Sequence, residues 1–381
     1  MGDKKRVAIF RSQLLAISET FIRDQASALT AWQPVLVGFH EVEGGLETPS
    51  LPRVIVPASS IRLLRLCRFW LSLPDPRLVN CLRRLQVDLV HVHFGTDATD
   101  IWPSVKAAGL PMLVTLHGYD INIHKEWWEA GHGGLRRRVY PRRLLRMARD
   151  PSVSFIAVSK AIRQRAIDYG IPGNKIAVSY IGVDTERFKP GGLSLSQRRK
   201  RILFVGRMVE KKAPLLMIRA FAEVRKQIPD AELTMIGTGP LFDNVKQLAE
   251  ELKVPVATLG ARNSDEVLQQ LHEAKIFCLP SVMADNGDAE GLPISILEAL
   301  ACGVPVVTSA SGGVDEAVVH NRNGLCFLSN DTQAMSQYIV SLLADDLRIQ
   351  EFSAAAVEDT FAKFSINITT QILENSVYNS I

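Results

Sequence analysis

This chain of 381 residues has little of what marks a membrane span, a secretory leader or a disulfide framework. Its apolar runs fall well short of the ~20 residues that a membrane-crossing helix needs. Residues 1–6 pass straight from charge into the strand-like 7–10, without the long apolar region of a secretory signal. Cys67, Cys81, Cys278, Cys302 and Cys326 form no CxxC pair, which points to free thiols in a reducing cytosol. Low-complexity and collagen-like bias are absent, and 47% hydrophobic residues is too high a share for a disordered chain. No nucleic-acid motif stands in either half, so nucleic acid is not an expected partner.

What is present is a regular alternation. Short apolar runs at 7–10, 35–39, 89–94, 112–116, 154–158 and 177–180 read as strands, with helical patterns at 18–30, 61–71, 103–108 and 142–149 between them. Near-continuous apolar strands alternating with helices predict parallel sheets covered on both faces. Residues 188–201, rich in Gly, Ser and charge, read as a linker. A second series follows: strands at 202–205, 232–236, 256–259, 276–279, 304–308 and 324–327, and helices at 214–227, 241–252, 264–273, 294–301 and 332–345. The expected fold is α/β, two doubly wound Rossmann-like domains facing a central cleft. The first spans 1–186 and the second 187–360, with a C-terminal helix at 361–381 that returns to the first. Ligands in such sheets sit at the carboxyl ends of the strands.

The net charge of +4 divides at this boundary. Residues 1–186 carry 25 Lys/Arg against 17 Asp/Glu, whereas the remainder carries 19 against 23. The acidic half nevertheless holds the sequence best suited to an anion. GRMVEKKA (206–213) joins a strand to a helix and sets Arg207 and Lys212 five residues apart. Two cations and the free N–H groups of a helix mouth suit a polyphosphate; the alternative is a solvated basic turn. GTGP (237–240) also links strand to helix, and Gly237 and Gly239 permit close backbone approach to a ligand, or simply a tight turn.

The sharpest motif is EGLPISILEALACGVPVV (290–307). Pro293 suits the first turn of a helix. Glu290 then lies in the preceding loop and Glu298 inside the helix, where two carboxylates can each take a pair of hydroxyls from a sugar or ribose. A phosphate fits between them, beside Gly291 and Leu292. The alternative is a surface acid and a capping acid.

Together these residues resemble the retaining nucleotide-sugar glycosyltransferases of family four, which have the GT-B fold. The resemblance rests on Glu290, seven residues, Glu298 and EALACGVPVV (298–307), with GRMVEKK, YIGVDTERF (180–188) and IGTGPL (236–241) upstream and SGGVDEA (311–317) and Asn323-Gly324 downstream. SETFI (18–22), VHVHFG (90–95) and LHGYD (116–120) are similar to the bacterial exopolysaccharide branch, the colanic-acid and amylovoran type. The resemblance implies that Arg207 and Lys212 hold the donor diphosphate, Glu298 the ribose hydroxyls and Glu290 those of the transferred sugar. His117 and Asp120 would line the sugar pocket, and Arg262 would lie near the base. It also implies a retaining reaction with no cofactor and no metal. The donor would be a UDP- or GDP-sugar, and the acceptor a lipid-linked or growing oligosaccharide for a surface polysaccharide. Two departures stand out: residues 13–20 replace the family's first Gly-Gly loop, and Ala213 replaces a common Gly. Rival readings are a non-catalytic nucleotide-sugar-binding partner of a synthase, a sugar-nucleotide epimerase and a phosphorylase; no Lys-centred pyridoxal site favours the last.

Three features remain. His91 and His93 share one strand face and, with His117, could form a metal site or hydrogen-bonded groups. IRLLRLCRFWL (61–71) spaces Arg62, Arg65 and Arg68 three apart beside Trp70, and RRRVYPRRLLR (136–146) is a second basic, apolar cluster. Basic amphipathic helices bind anionic lipid, at about 1 kcal/mol per cation, or pack as ordinary surface helices. The expected location is cytoplasmic, peripheral at the inner face of the plasma membrane.

Overall fold

The computed structural model describes residues 4–57, 61–309 and 312–381; the side chains of Arg62 and Arg65, and Ser311 of the downstream motif, lie outside the described set. The chain forms two compact units. One comprises residues up to Gly182 together with Ile366–Ile381, the other Val183–Ser365. The crossings therefore fall at 182/183 and 365/366, rather than at 186/187 and 361. The stretch expected to be a linker is packed on the second unit. Arg198, only 8% exposed, donates to the carbonyls of Gly191, Leu193, Leu271 and Ala274.

The first unit contains β1 (Arg6–Phe10), β2 (Gln13–Leu14), β3 (Gln33–Gly38), β4 (His40–Glu41), β5 (Arg53–Ile55), β6 (Leu89–His93), β7 (Met112–Leu116), β8 (Val153–Ala157) and β9 (Ile176–Val178). Seven of these make a parallel sheet in the order β5-β3-β1-β6-β7-β8-β9, and β2 pairs with β4. The second unit contains β10 (Arg201–Val205), β11 (Glu232–Ile236), β12 (Val256–Gly260), β13 (Ile276–Leu279), β14 (Val306–Ser309) and β15 (Gly324–Phe327). They order as β12-β11-β10-β13-β14-β15, again parallel. The central strands β6, β7, β13 and β14 are buried along their whole length, so both faces need apolar side chains.

Both sheets reverse direction once. In the first the chain runs outward from β1, then resumes at β6 on the other side; in the second it does so between β10 and β13. The carboxyl ends of these strand pairs are where open α/β sheets leave a crevice.

The C-terminal residues are part of the first unit's core. After the helix Ile366–Ile372, buried Glu374 accepts hydrogen bonds from the backbone N–H groups of Thr30, Ala31 and Trp32 at 3.1, 2.8 and 2.9 Å. Tyr378 packs edge-on to Trp32, and its hydroxyl lies 2.7 Å from Nδ1 of His91.

Candidate active site

In the second unit the crevice is spanned by a buried ion pair. The loop after β10 carries Lys212, and the loop after β13 leads to Glu290; their Nζ and Oε1 atoms are 2.9 Å apart, with 14% and 7% of the side chains exposed. Burial pushes Glu290 up, but Lys212, Lys211 and the Ser281 hydroxyl outweigh it and hold the carboxyl below its usual range. Burial lowers the Lys212 ammonium despite the attraction of Glu290. The Glu290 carboxyl is therefore ionised at neutral pH, facing the Lys212 ammonium. A parallel pair, Lys211 Nζ to Asp288 Oδ1 at 3.0 Å, fixes the same two loops. Arg207 is exposed and has no ion-pair partner among the described residues.

Behind this pair, Gly291, Leu292 and Pro293 are buried and lead into the helix Ile294–Ala301. Pro293 is its N-cap residue, one position earlier than the expected first turn. Its backbone is extended at the cap, where a helix leaves its first N–H groups without α-helical partners. Glu298 is half-buried on this helix. A Cβ on Gly312 (φ +67°) would meet the Glu290 carbonyl oxygen at 2.0 Å, so a bare backbone there lets the Glu290 loop close. Gly237 and Gly239 answer to a similar constraint. Their φ angles are +133° and +153°, and a Cβ would strike the carbonyl oxygens of Gly206 and Met208 at 1.9 and 2.6 Å. The close approach is therefore to the loop carrying Arg207 and Lys212, which it holds through Met208 N–H to the Thr238 carbonyl. Arg262 lies two residues past the edge strand β12, which is two strands from β10, and is exposed with Nε 3.5 Å from Glu266. The sheet order does not bring it to the Lys212–Glu290 pair.

The first unit repeats this design at β1 and β6. Arg11, just past β1, pairs with Asp97, just past β6, and with Glu19 at 2.6 Å. Asp97 also accepts the Ser12 backbone N–H at 2.8 Å. The Arg11 guanidinium lies 4.5 Å over the ring of Phe94, a residue held at φ +75°, where only glycine is comfortable. That ring in turn packs against His117 at 4.5 Å.

His117, just past β7, is half-buried, and its Nε2 lies 3.0 Å from Nδ1 of His93. Burial, reinforced by Arg11, pulls the His117 imidazole down to about 3, so it is neutral at physiological pH. Asp120, the other residue expected to line the sugar pocket, lies inside the fold. It is fully buried, and its two oxygens accept the backbone N–H groups of Gly95, His117 and Gly118 at 2.7, 3.0 and 3.0 Å. Asp120 positions the His117 turn against the β6 end. His91 has both nitrogens engaged, by Tyr378 and by the Thr115 hydroxyl, and so is not a ligand. Among the described residues no cluster of three His, Cys, Asp or Glu side chains suits a metal ion.

Sequence reasoning did not single out Arg11, Glu19, Asp97 or Asp288. Arg11 and Asp97 had a signal of position, since each follows a strand that flanks the reversal, as Lys212 and Glu290 do. On the helix Arg62–Leu71, Trp70 and Leu71 are 51% and 67% exposed, Phe69 is buried, and Arg68 lies 3.6 Å from Asp75. No helix among the described residues is long and apolar enough to cross a membrane.

Comparison with known proteins is consistent with this geometry. Residues 186–359 match the family Glycosyl transferases group 1, and residues 18–187 match Glycosyltransferase Family 4. A GDP-mannose-dependent alpha-(1-6)-phosphatidylinositol monomannoside mannosyltransferase of Mycolicibacterium smegmatis is 30% identical over 75% of this chain and 76% of its own. The amylovoran biosynthesis glycosyltransferase AmsK of Erwinia amylovora is 30% identical over 72% of this chain and 66% of its own. Among solved structures, HepE of Anabaena, in complex with UDP and glucose, superposes with a TM-score of 0.81 at 19% identity, covering 99% of this chain and all of its own. That likeness is one of fold, two Rossmann-like halves of the GT-B kind. With its two strand-end crevices and these relatives, the chain belongs to glycosyltransferase family 4.

Proposed function

We propose that the protein transfers a sugar, with retention of anomeric configuration and without a bound metal, from a UDP- or GDP-sugar to a lipid-linked or oligosaccharide acceptor of a surface polysaccharide or glycolipid. The observation that carries this reading is the Lys212–Glu290 pair at the β10–β13 reversal, with Arg207 near it and without an ion-pair partner among the described residues. A departing diphosphate needs its charge neutralised, which Arg207, Lys212 and the N-terminus of the helix Ile294–Ala301 supply. Lys212 has three N–H donors, so it can serve Glu290 and a phosphate oxygen together. Glu298 takes the ribose hydroxyls. Glu290, kept ionised but engaged, orients the transferred sugar rather than attacking it. The acceptor hydroxyl passes its proton to the leaving phosphate oxygen, on the face that the phosphate vacates, as the new glycosidic bond forms and the old one breaks.

The relatives' names support the donor class: one is GDP-mannose-dependent, and the Anabaena structure holds UDP. Peripheral membrane binding is supported by the exposed Leu63, Trp70 and Leu71 on a helix that also carries three arginines. The first unit has 25 Lys/Arg against 16 Asp/Glu, a sign suited to anionic lipid. Thermal stability of the protein with UDP-, GDP- and ADP-sugars tests the donor. A ligand at 100 times its Kd adds about 2.7 kcal/mol. Glu298→Ala should weaken donor binding, while Glu290→Ala should chiefly lower turnover. Equal, small effects from both would refute the assignment.

A further inference from the structure

A cavity of about 790 Å³ opens in the first unit beside the β1–β6 reversal. Arg11 and Asp97 stand in its wall at the strand ends; Phe69, Leu73, Arg136 and Arg143 line it beside the helix Arg62–Leu71. The cations in that wall are unequally matched. Arg11 has Asp97 and Glu19, Arg68 has Asp75 at 3.6 Å, and Arg137 has Asp100 at 3.4 Å. Arg136 and Arg143 have no carboxylate partner among the described residues. Their guanidiniums instead lie over the same ring, Phe69, at 4.2 and 3.9 Å from its centre. Burial, and then Arg136, Arg137 and Arg146, hold the Arg143 guanidinium below its usual range against the pull of Asp100. Two like charges gathered on one ring, in a pocket large enough for a small ligand, are stabilised by an anion that takes hydrogen bonds from both.

We infer that this pocket binds the phosphate group of a lipid-phosphate acceptor through Arg136 and Arg143. The site rests on the proposed function and supplies its acceptor with a chemistry. The planar N–H edges of two guanidiniums match phosphate oxygens better than ammonium groups do. The lipid source is favoured by what borders the cavity. Leu73 lines it and is 50% exposed, and the exposed Leu71 and Trp70 continue from it along the helix, an apolar path for an acyl or prenyl chain.

The test uses the full chain, with dihexanoyl phosphatidic acid below its micelle threshold and inorganic phosphate as probes, in calorimetric titrations. The double variant Arg136→Gln/Arg143→Gln should bind the lipid at least about tenfold more weakly. Arg136→Lys/Arg143→Lys, which keeps the charge, should recover part of that loss and shows that the pocket still folds. Inorganic phosphate should bind the wild type at least about tenfold more weakly than the lipid, because it lacks the apolar chain. Equal lipid affinity in wild type and the Gln variant would overturn the proposal. So would inorganic phosphate binding as tightly as the lipid, which would make this a free-anion site. Slow nucleoside-diphosphate release from a UDP- or GDP-sugar, measured without acceptor, should be the same in wild type and variant. Its absence in both would count against the proposed transfer and leave the lipid result to be judged alone.

Discussion

Replacing Lys212 by methionine removes the only buried counter-charge within 2.9 Å of Glu290 among the described residues and keeps the stem's packing. The carboxylate, 7% exposed, is then left with the Ser281 hydroxyl at 3.4 Å and the field of Lys211. Breaking one side of a buried pair costs about 3 kcal/mol or more, because the remaining charge stays desolvated. For a unit of this size, that corresponds to a fall of roughly 6–12 °C in the melting temperature of the second unit. The pH dependence has a definite sign. In the wild type, Glu290 titrates below its usual value, so its contribution is present above the unfolded carboxyl pKa and fades as pH falls through the folded one. In Lys212→Met the leading cause of that lowering is gone and burial remains, so Glu290 titrates higher and the variant sheds its unpaired charge on mild acidification. The stability gap between wild type and variant should therefore narrow from pH 7 to pH 4. Adding Glu290→Gln to Lys212→Met should restore most of the loss at pH 7. Calorimetry of the four proteins of this cycle gives the coupling directly. An unchanged melting temperature in Lys212→Met, or no recovery in the double variant, would refute the buried pair.

Asp120→Asn should lower stability by about 2 kcal/mol, since an amide cannot accept from Gly95, His117 and Gly118 together; denaturant unfolding measures it. The same change should loosen the His117 turn, read as a shift in the His117 ring resonances. Because burial pulls His117 down to about 3, those resonances should show no titration between pH 5 and pH 8, and turnover should carry no inflection from this group there. Glu374→Gln should destabilise the first unit by about 1–3 kcal/mol through the N–H groups of Thr30, Ala31 and Trp32, with faster amide exchange at those positions as the check.

Much of this architecture was legible from the chain. Strands Met112–Leu116 and Ile276–Leu279 stand at their expected limits, because a strand buried along its whole length begins and ends on apolar residues; Glu232–Ile236 does so although its first residue is a half-buried acid. The edge strand Arg53–Ile55 was missed: it is only three residues long and begins on an exposed Arg. The helix Gly95–Ala108 was seen only from Pro103 onward, since Gly, Thr and Asp in its first turns resemble a loop. They are helical because Asp120, from another turn, fixes the Gly95 N–H. Motif reading found Glu290 and Lys212 as separate groups, and their 2.9 Å pairing across 78 residues had no local signal. The Arg11–Asp97 pair, which joins residues 86 apart, was hidden for the same reason. The glycines of GTGP were legible as a close approach, but what they approach is the neighbouring loop's own backbone, which only the sheet order reveals.

The central claim is a retaining transfer from a nucleoside-diphosphate sugar. Proton NMR of the first glycoside formed, begun at once after adding a UDP- or GDP-sugar and a lipid-phosphate or oligosaccharide acceptor in the presence of a chelator, tests it most directly. The account predicts a product whose anomeric configuration is that of the donor sugar, formed undiminished without free metal. A product of inverted configuration, or donor that binds and is never consumed, would contradict it.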